Sequence, residues 1–334
     1  MSDFLRFRKK MSKNKEVALK IKRASLFVFC LLFFFIPSQN FYAVIQATPL
    51  PSPTQELDFS LPATANYPVN LEKTPLPSLT AHAFVVVDRD SAALLVGRNE
   101  NLRVLPASTV KVMTALVTLD YYRLDDVLVV EEMEKNGQDI GLEEGERITF
   151  KNLLYGLLVS SGNDVALVLA RNYPGGEISF VKAMNQKAES LNLTHTYFAN
   201  PTGLDSDPEG NILTDFSYTT ALDLARLAAE ALKNQLLLEI FSTSSITISD
   251  IEGKVTHQLE NINELLNQLP GMKGIKTGWT EEAGECLVGY TERDSHGVIT
   301  VILGSQDRFR ETSKLTNWIF ANFRWQEITP SIEN

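Results

Sequence analysis

Residues 106–119 read Pro106-Ala-Ser-Thr-Val-Lys-Val-Met-Thr-Ala-Leu-Val-Thr-Leu119. This stretch predicts a helix over Ser108–Leu119, opened by Pro106, because proline is accommodated only at the start of a helix. It carries Ser108 and Lys111 three positions apart, so the two side chains share one helical face. A hydroxyl beside an amine is a candidate nucleophile beside a candidate base. Lys111 can take a proton only when neutral. Its ordinary pKa of about 10.4 must then be depressed, by burial or by a second ammonium. Alone the pair is weak, since a surface Ser and Lys on a helix are common. Ser-x-x-Lys also occurs at Ser12 to Lys15 and at Ser179 to Lys182.

Two later stretches give the first one context. Ser161-Gly162-Asn163 follows the apolar run Leu153–Val159 and reads as a turn between two helices. Ser161 can relay a proton, and the Asn163 amide can both donate and accept; either side chain could equally do no more than cap the helix that follows. Lys276-Thr277-Gly278 lies in Gly274-Ile-Lys-Thr-Gly-Trp-Thr280. Lys276 and Thr277 suit an anionic group by charge and hydroxyl. Gly278 lets a ligand lie against a strand, although the same residues also suit a glycine-bounded surface turn. Lys276 is the candidate for the ammonium that depresses Lys111. The backbone N–H of Trp279, with that of Ser108, would suit an oxyanion hole.

The sheet signals lie at the two ends of this region. Ala83–Asp88 and Ala92–Val96 predict strands joined by a turn at Arg89-Asp90-Ser91. Ser245–Ile248, Glu285–Thr291 and Val298–Leu303 predict strands near the C-terminus. Helices are predicted over Lys151–Val159, Asp164–Arg171, Ser179–Leu191, Thr220–Lys233 and Glu311–Phe323. The expected fold is therefore α+β: an antiparallel β-sheet flanked by helices, its halves drawn from distant sequence, with a mainly helical subregion between them.

Outside residues 81–325, expected to form the folded domain, the chain changes character. Nine of its 31 basic residues, but only Asp3 and Glu16 of its 41 acidic ones, lie in the first 23 positions. The apolar run Ala24–Ile36 follows, giving the basic-then-apolar order of an export signal. Residues 1–47 are expected to be either a cleaved signal peptide or an uncleaved N-terminal membrane anchor, with the rest exported. Half of the 14 prolines fall between Pro49 and Pro77, so residues 48–80 are expected to be an extended linker. Residues 326–334 form a short tail. The total charge of −10 understates how acidic the region beyond the basic head is, which argues against a nucleic acid partner. The two cysteines, Cys30 and Cys286, give no disulfide framework, and Cys286 in an apolar run reads as buried filler. The four scattered histidines lack metal-ligand spacing, and no cofactor is expected.

Taken in order, the three motifs resemble those of the penicillin-binding and serine β-lactamase group. Ser-Gly-Asn in the middle position is similar to the serine D-Ala-D-Ala carboxypeptidases, as are Ser160–Ala166, Asn200-Pro-Thr-Gly-Leu204 and Gly271–Thr280. The resemblance implies Ser108 as acyl-ester nucleophile, Lys111 as proton acceptor, and Ser161 and Asn163 in a proton relay and substrate contacts. It implies Lys276 and Thr277 as ligands of the terminal carboxylate, helped by a late arginine, for which Arg308 is the best match and Arg310 the fallback. The implied partners are a peptidoglycan stem peptide ending in D-Ala-D-Ala and, as covalent inhibitors, β-lactams. β-Lactamase, DD-endopeptidase and a non-catalytic penicillin-binding sensor are the alternatives on this scaffold. The nearest approach to the acidic deacylation stretch of class A β-lactamases is Glu189-Ser190-Leu191-Asn192, one residue short and inside a predicted helix.

Overall fold

A computed structural model describes residues 66–131, 137–205 and 215–327. The expected leader and most of the expected linker lie outside these residues. Among those described, no helix is long and apolar enough to cross a membrane.

Strands β1 (Asn66–Asn70), β2 (Ala83–Asp88) and β3 (Leu94–Arg98) come first. A 3-10 turn at Ala107–Val110 leads directly into α1 (Lys111–Tyr121). The short strands β4 (Val127–Val129) and β5 (Arg147–Thr149) precede helices α2 (Phe150–Leu158), α3 (Asn163–Arg171) and α4 (Gly176–Ser190). Helices α5 (Ala221–Ala231) and α6 (Gln235–Phe241) lead to the hairpin β6 (Ser245–Ser249) and β7 (Thr256–Glu260). The short helix α7 (Leu265–Gln268) is followed by the long strands β8 (Met272–Thr280), β9 (Gly284–Arg293) and β10 (His296–Ser305). Helix α8 (Arg308–Asn322) and strand β11 (Phe323–Glu327) are the last of the described elements.

The main sheet is antiparallel, in the order β3-β2-β10-β9-β8. Its N-terminal hairpin pairs through β2 with the C-terminal β10, so the sheet closes sequence more than 200 positions apart. Strand alternation divides β2 between two cores. Ala83 and Val85 join the larger cluster, with the helices. Phe84 and Val86 point the other way, against Leu315 and Ile319 of α8. Helix α1 is buried continuously from Lys111 to Thr118. It runs through the middle of the helical layer, which is why its sequence is apolar nearly all round.

Two sequence expectations change here. Residues 66–70 of the expected linker form β1 and pair with Phe323–Glu327, which reaches into the expected tail. Composition hid this because Pro68 sits in a two-stranded ribbon, an edge position that tolerates a missing N–H. The following segment is also fastened. The Thr74 hydroxyl donates to Asn322 Oδ1 at 2.5 Å, and Leu79 and Ala81 are buried beside α8. Second, β3 begins at Leu94, because Ala92 at φ 56° belongs to the turn. Cys286 is buried as expected, and burial pushes its thiol up to about 11, where it is inert at neutral pH.

Candidate active site

The expected helix start at Ser108 is a 3-10 turn in the structure. Ala107 takes φ 49°, and the Thr109 amide and hydroxyl both donate to Pro106 O, at 3.3 and 2.7 Å. The turn is gripped from two sides by glycine backbone. A Cβ at Gly203 would lie 2.0 Å from Ala107 O, and one at Gly278 would lie 2.5 Å from the Ser108 amide nitrogen. Only glycine permits both approaches. They press the Asn200–Leu204 segment and strand β8 against the serine.

Lys111 follows as the first residue of α1, fully buried. Its Nζ is 2.9 Å from Ser108 Oγ, 2.6 Å from Asn163 Oδ1 and 2.9 Å from Thr202 O. The Asn163 and Thr202 oxygens only accept. A neutral amine has two N–H groups, and these two oxygens use both. Its lone pair is then left for the proton on Ser108 Oγ. Burial lowers Lys111 to about 7, with the carboxylates of Asp139 and Asp164 opposing that fall. The neutral form is thus available near neutral pH. Of the two causes open from sequence, burial is the larger, and Lys276 is not among the groups that shift Lys111.

Asn163 meets Lys111 from the turn between α2 and α3, and Ser161 lines the same cavity from that turn. Neither caps the helix. The N-cap is Gly162, which offers no side chain, and Asn163 is already the first residue of α3. Their side chains are therefore left to the cavity. Ser161 holds φ 62°, unusual without glycine, and its buried Oγ has no hydrogen-bond partner among the described residues. Strain and an unsatisfied hydroxyl at one residue are costs that a ligand could offset.

Strand β8 supplies the opposite wall. Lys276 is buried and donates to Thr277 O at 2.7 Å. Burial first, then the charges of Lys111 and Arg308, hold its amine well below the usual lysine range. The Thr277 hydroxyl donates to Cys286 O across to β9. Trp279 is 60% exposed, so its indole stands at the rim while its backbone continues the strand past Ser108. Arg308, at the start of α8, donates from Nη1 to Gly278 O at 3.2 Å, and its buried Nε has no hydrogen-bond partner among the described residues. Its other Nη1 contact is Glu285, at 3.7 Å. Arg310 is exposed and does not line the cavity. Ser108, Ser161, Asn163, Thr277, Gly278, Trp279 and Arg308 all line one cavity of about 550 Å³. Lys111 and Lys276 lie buried behind that lining.

Sequence reasoning gave no role to Thr202, whose carbonyl fixes Lys111, nor to Gln138, Asp139 and Asp164 beside Asn163. Asn200-Pro-Thr-Gly did signal a turn. In the structure Asn200 Oδ1 accepts from Thr202 N, Thr202 Oγ1 and Gly203 N. That signal locates the turn but does not reveal which carbonyl meets the amine.

A hydroxyl facing a depressed amine, beside a cationic wall, defines a serine acyl-transfer site of the penicillin-binding type. The D-alanyl-D-alanine carboxypeptidase family matches residues 70–307, and the chain belongs to that family. It is 32% identical over 253 residues to the D-alanyl-D-alanine carboxypeptidase DacF of Bacillus subtilis, covering 73% of this chain and 63% of that relative. It is 34% identical over 268 residues to a D-alanyl-D-alanine endopeptidase of Pseudomonas aeruginosa, covering 78% and 82%. Among solved structures, a D-alanyl-D-alanine carboxypeptidase from Mycobacterium tuberculosis is similar at 31% identity and TM-score 0.68, covering 78% of this chain and 97% of that one.

Proposed function

We propose that this chain is a serine-type D-Ala-D-Ala carboxypeptidase that removes the terminal D-Ala from peptidoglycan stem peptides. The observation that carries the reading is the amine of Lys111, committed to two acceptors and facing Ser108 Oγ. Lys111 takes the Ser108 proton as Oγ bonds to the carbonyl carbon of the penultimate D-Ala. The backbone N–H groups of Ser108 and Trp279 hold the oxyanion. The C–N bond breaks, the departing D-Ala amine takes a proton relayed through Ser161, and water then hydrolyses the ester at Ser108. Asn163 holds the substrate backbone. Thr277 and Arg308 hold the terminal carboxylate beside Gly278, with the amine of Lys276 behind them. A β-lactam would enter as a substrate mimic and remain as an ester on Ser108. The basic head and apolar run of residues 1–36 support export and attachment through the N-terminus.

The deciding experiment offers the purified protein diacetyl-L-Lys-D-Ala-D-Ala. Release of free D-Ala supports the reading, and a protein that acylates with penicillin yet releases none would be a sensor instead. The resemblance to the Pseudomonas endopeptidase favours DD-endopeptidase as second reading. Cleavage of cross-linked muropeptides, with little D-Ala released from the tripeptide, would favour it over the first.

The carboxylate assignment makes a separate prediction. Arg308→Leu removes a charge-assisted contact of about 1.5–3 kcal/mol, so kcat/KM should fall roughly 10–100-fold. The loss should appear mainly as a higher KM. An amidated substrate, lacking the carboxylate, should lose much less from the same substitution. Equal losses on both substrates would remove Arg308 from the carboxylate site.

A further inference from the structure

The cavity wall opposite β8 is made by residues 137–142, and Gly137 and Gln138 line the cavity itself. This segment is stitched to the middle motif along its length. The Asn163 amide donates to Gln138 O at 2.6 Å, and the Asp164 amide to Asp139 Oδ1 at 3.0 Å. In return, the Asp164 carboxylate accepts from Ile140 N, Gly141 N and Leu142 N. Ile140 also packs against Gly162, where a Cβ would come within 3.1 Å of Ile140 Cγ2.

The outer side of the wall meets β7. His257 is 6% exposed, and its Nδ1 lies 3.2 Å from Ile140 O. Its Nε2 lies 3.0 and 3.2 Å from the two oxygens of Glu146, also 6% exposed. Glu146 in turn accepts from Glu143 N at 3.1 Å. Strand β7 is fixed at its far end to the motif turn. Glu260 N donates to Ser160 Oγ, and Ser160 Oγ to Glu260 O. A buried polar pair contributes little net stability compared with apolar replacements, but it fixes geometry. Here the geometry that it fixes is the wall of the catalytic cavity.

We propose that His257 and Glu146 are positioning residues: the pair pins the 137–142 wall against Asn163 and Asp164, and so holds the wall in register with Ser108 and Lys111. The inference rests on Ser108 being the acylated serine. The wall also carries charge to the amine. Asp139 from the wall and Asp164 from α3 raise Lys111, while burial lowers it, and Lys276 on β8 is the facing amine, itself held low by burial and by the charges of Lys111 and Arg308. A wall that moves outward takes Asp139 with it, which lowers Lys111, and opens the amine to water, which raises it, so the titration of Lys111 reads the position of the wall.

The test measures acylation of the full chain by a chromogenic cephalosporin across pH. Three variants are used: Glu146→Gln, His257→Gln, and the double variant His257→Phe with Glu146→Leu. Replacing both polar partners avoids leaving one buried and unpaired. In the folded double variant, acylation should fall about tenfold or more, and the acid limb of its pH profile should leave its wild-type position. Glu146→Gln keeps a donor or acceptor for the His257 ring and should stay within about threefold of wild type. Should the double variant not fold, His257→Gln is read the same way, with a smaller loss. A folded variant lacking the pair, with wild-type acylation rate and an unmoved acid limb, would overturn the proposal. A wild-type protein that is not acylated at Ser108 would instead overturn the reading of the site, and the inference with it.

Discussion

Ser108→Ala should lower D-Ala release by roughly four orders of magnitude or more, as removal of a nucleophile does elsewhere, or about 5 kcal/mol or more of barrier. The serine oxygen bonds to the carbonyl carbon, and nothing nearby can substitute for it. Of the other hydroxyls lining the cavity, Thr277 donates to Cys286 O, Thr280 donates to Asp205 Oδ2, and Ser161 Oγ makes no hydrogen bond to Lys111 among the described residues. The fold should survive. Among the described residues, Ser108 Oγ is hydrogen-bonded to Lys111 alone, and the turn is held by Thr109 and the flanking glycines. Circular dichroism and the thermal midpoint should therefore match wild type while D-Ala release disappears. A Ser108→Ala protein that still releases D-Ala at the wild-type rate would move the nucleophile elsewhere.

The second large effect belongs to Lys111. Lys111→Ala should cost roughly 10²–10⁴-fold in acylation, the usual contribution of a positioned base. In the wild type the same residue should write the pH profile. A base works deprotonated, and burial lowers Lys111 to about 7. Acylation should then climb as pH rises through about 7 and flatten above it. Below about 6 the rate should drop close to tenfold per unit, because the neutral fraction does. Removing Asp164, whose charge raises Lys111, moves the limb toward lower pH; removing the burial would move it up. Penicillin acylation followed by stopped flow between pH 5 and 9 reads this directly. A flat profile across that range would mean that Lys111 is not the proton acceptor. Lys276 is also held low, and an incoming carboxylate should draw it back toward its charged form.

Two strands of the sheet were legible in the sequence because they carry runs rich in β-branched residues. Ala83–Asp88 coincides with β2, and Val298–Leu303 forms the body of β10. The helices α2 and α3 were legible by apolar spacing to within a residue or two. The ribbon β1–β11 was not, since its two strands are polar and one contains a proline. Within the site, side chains that carry chemistry announced themselves, whereas backbone did not. Thr202 O meets Lys111 with its carbonyl, an atom that every residue type shares. The left-handed backbones of Ala107 and Ser161 are set by the segments packed on them, not by their own preferences. His257 read as an ordinary histidine because its partners, Glu146 and Ile140, stand more than 100 positions away.

The central claim is that Ser108, deprotonated by Lys111, becomes an ester. Mass spectrometry of the full chain after penicillin treatment, with the modified peptide mapped, tests it in one measurement. The account predicts a single adduct of intact penicillin mass, located on Ser108, and none on the Lys111→Ala protein over the same interval. An adduct on Ser161 or on a lysine, or no adduct on a folded protein, would contradict it.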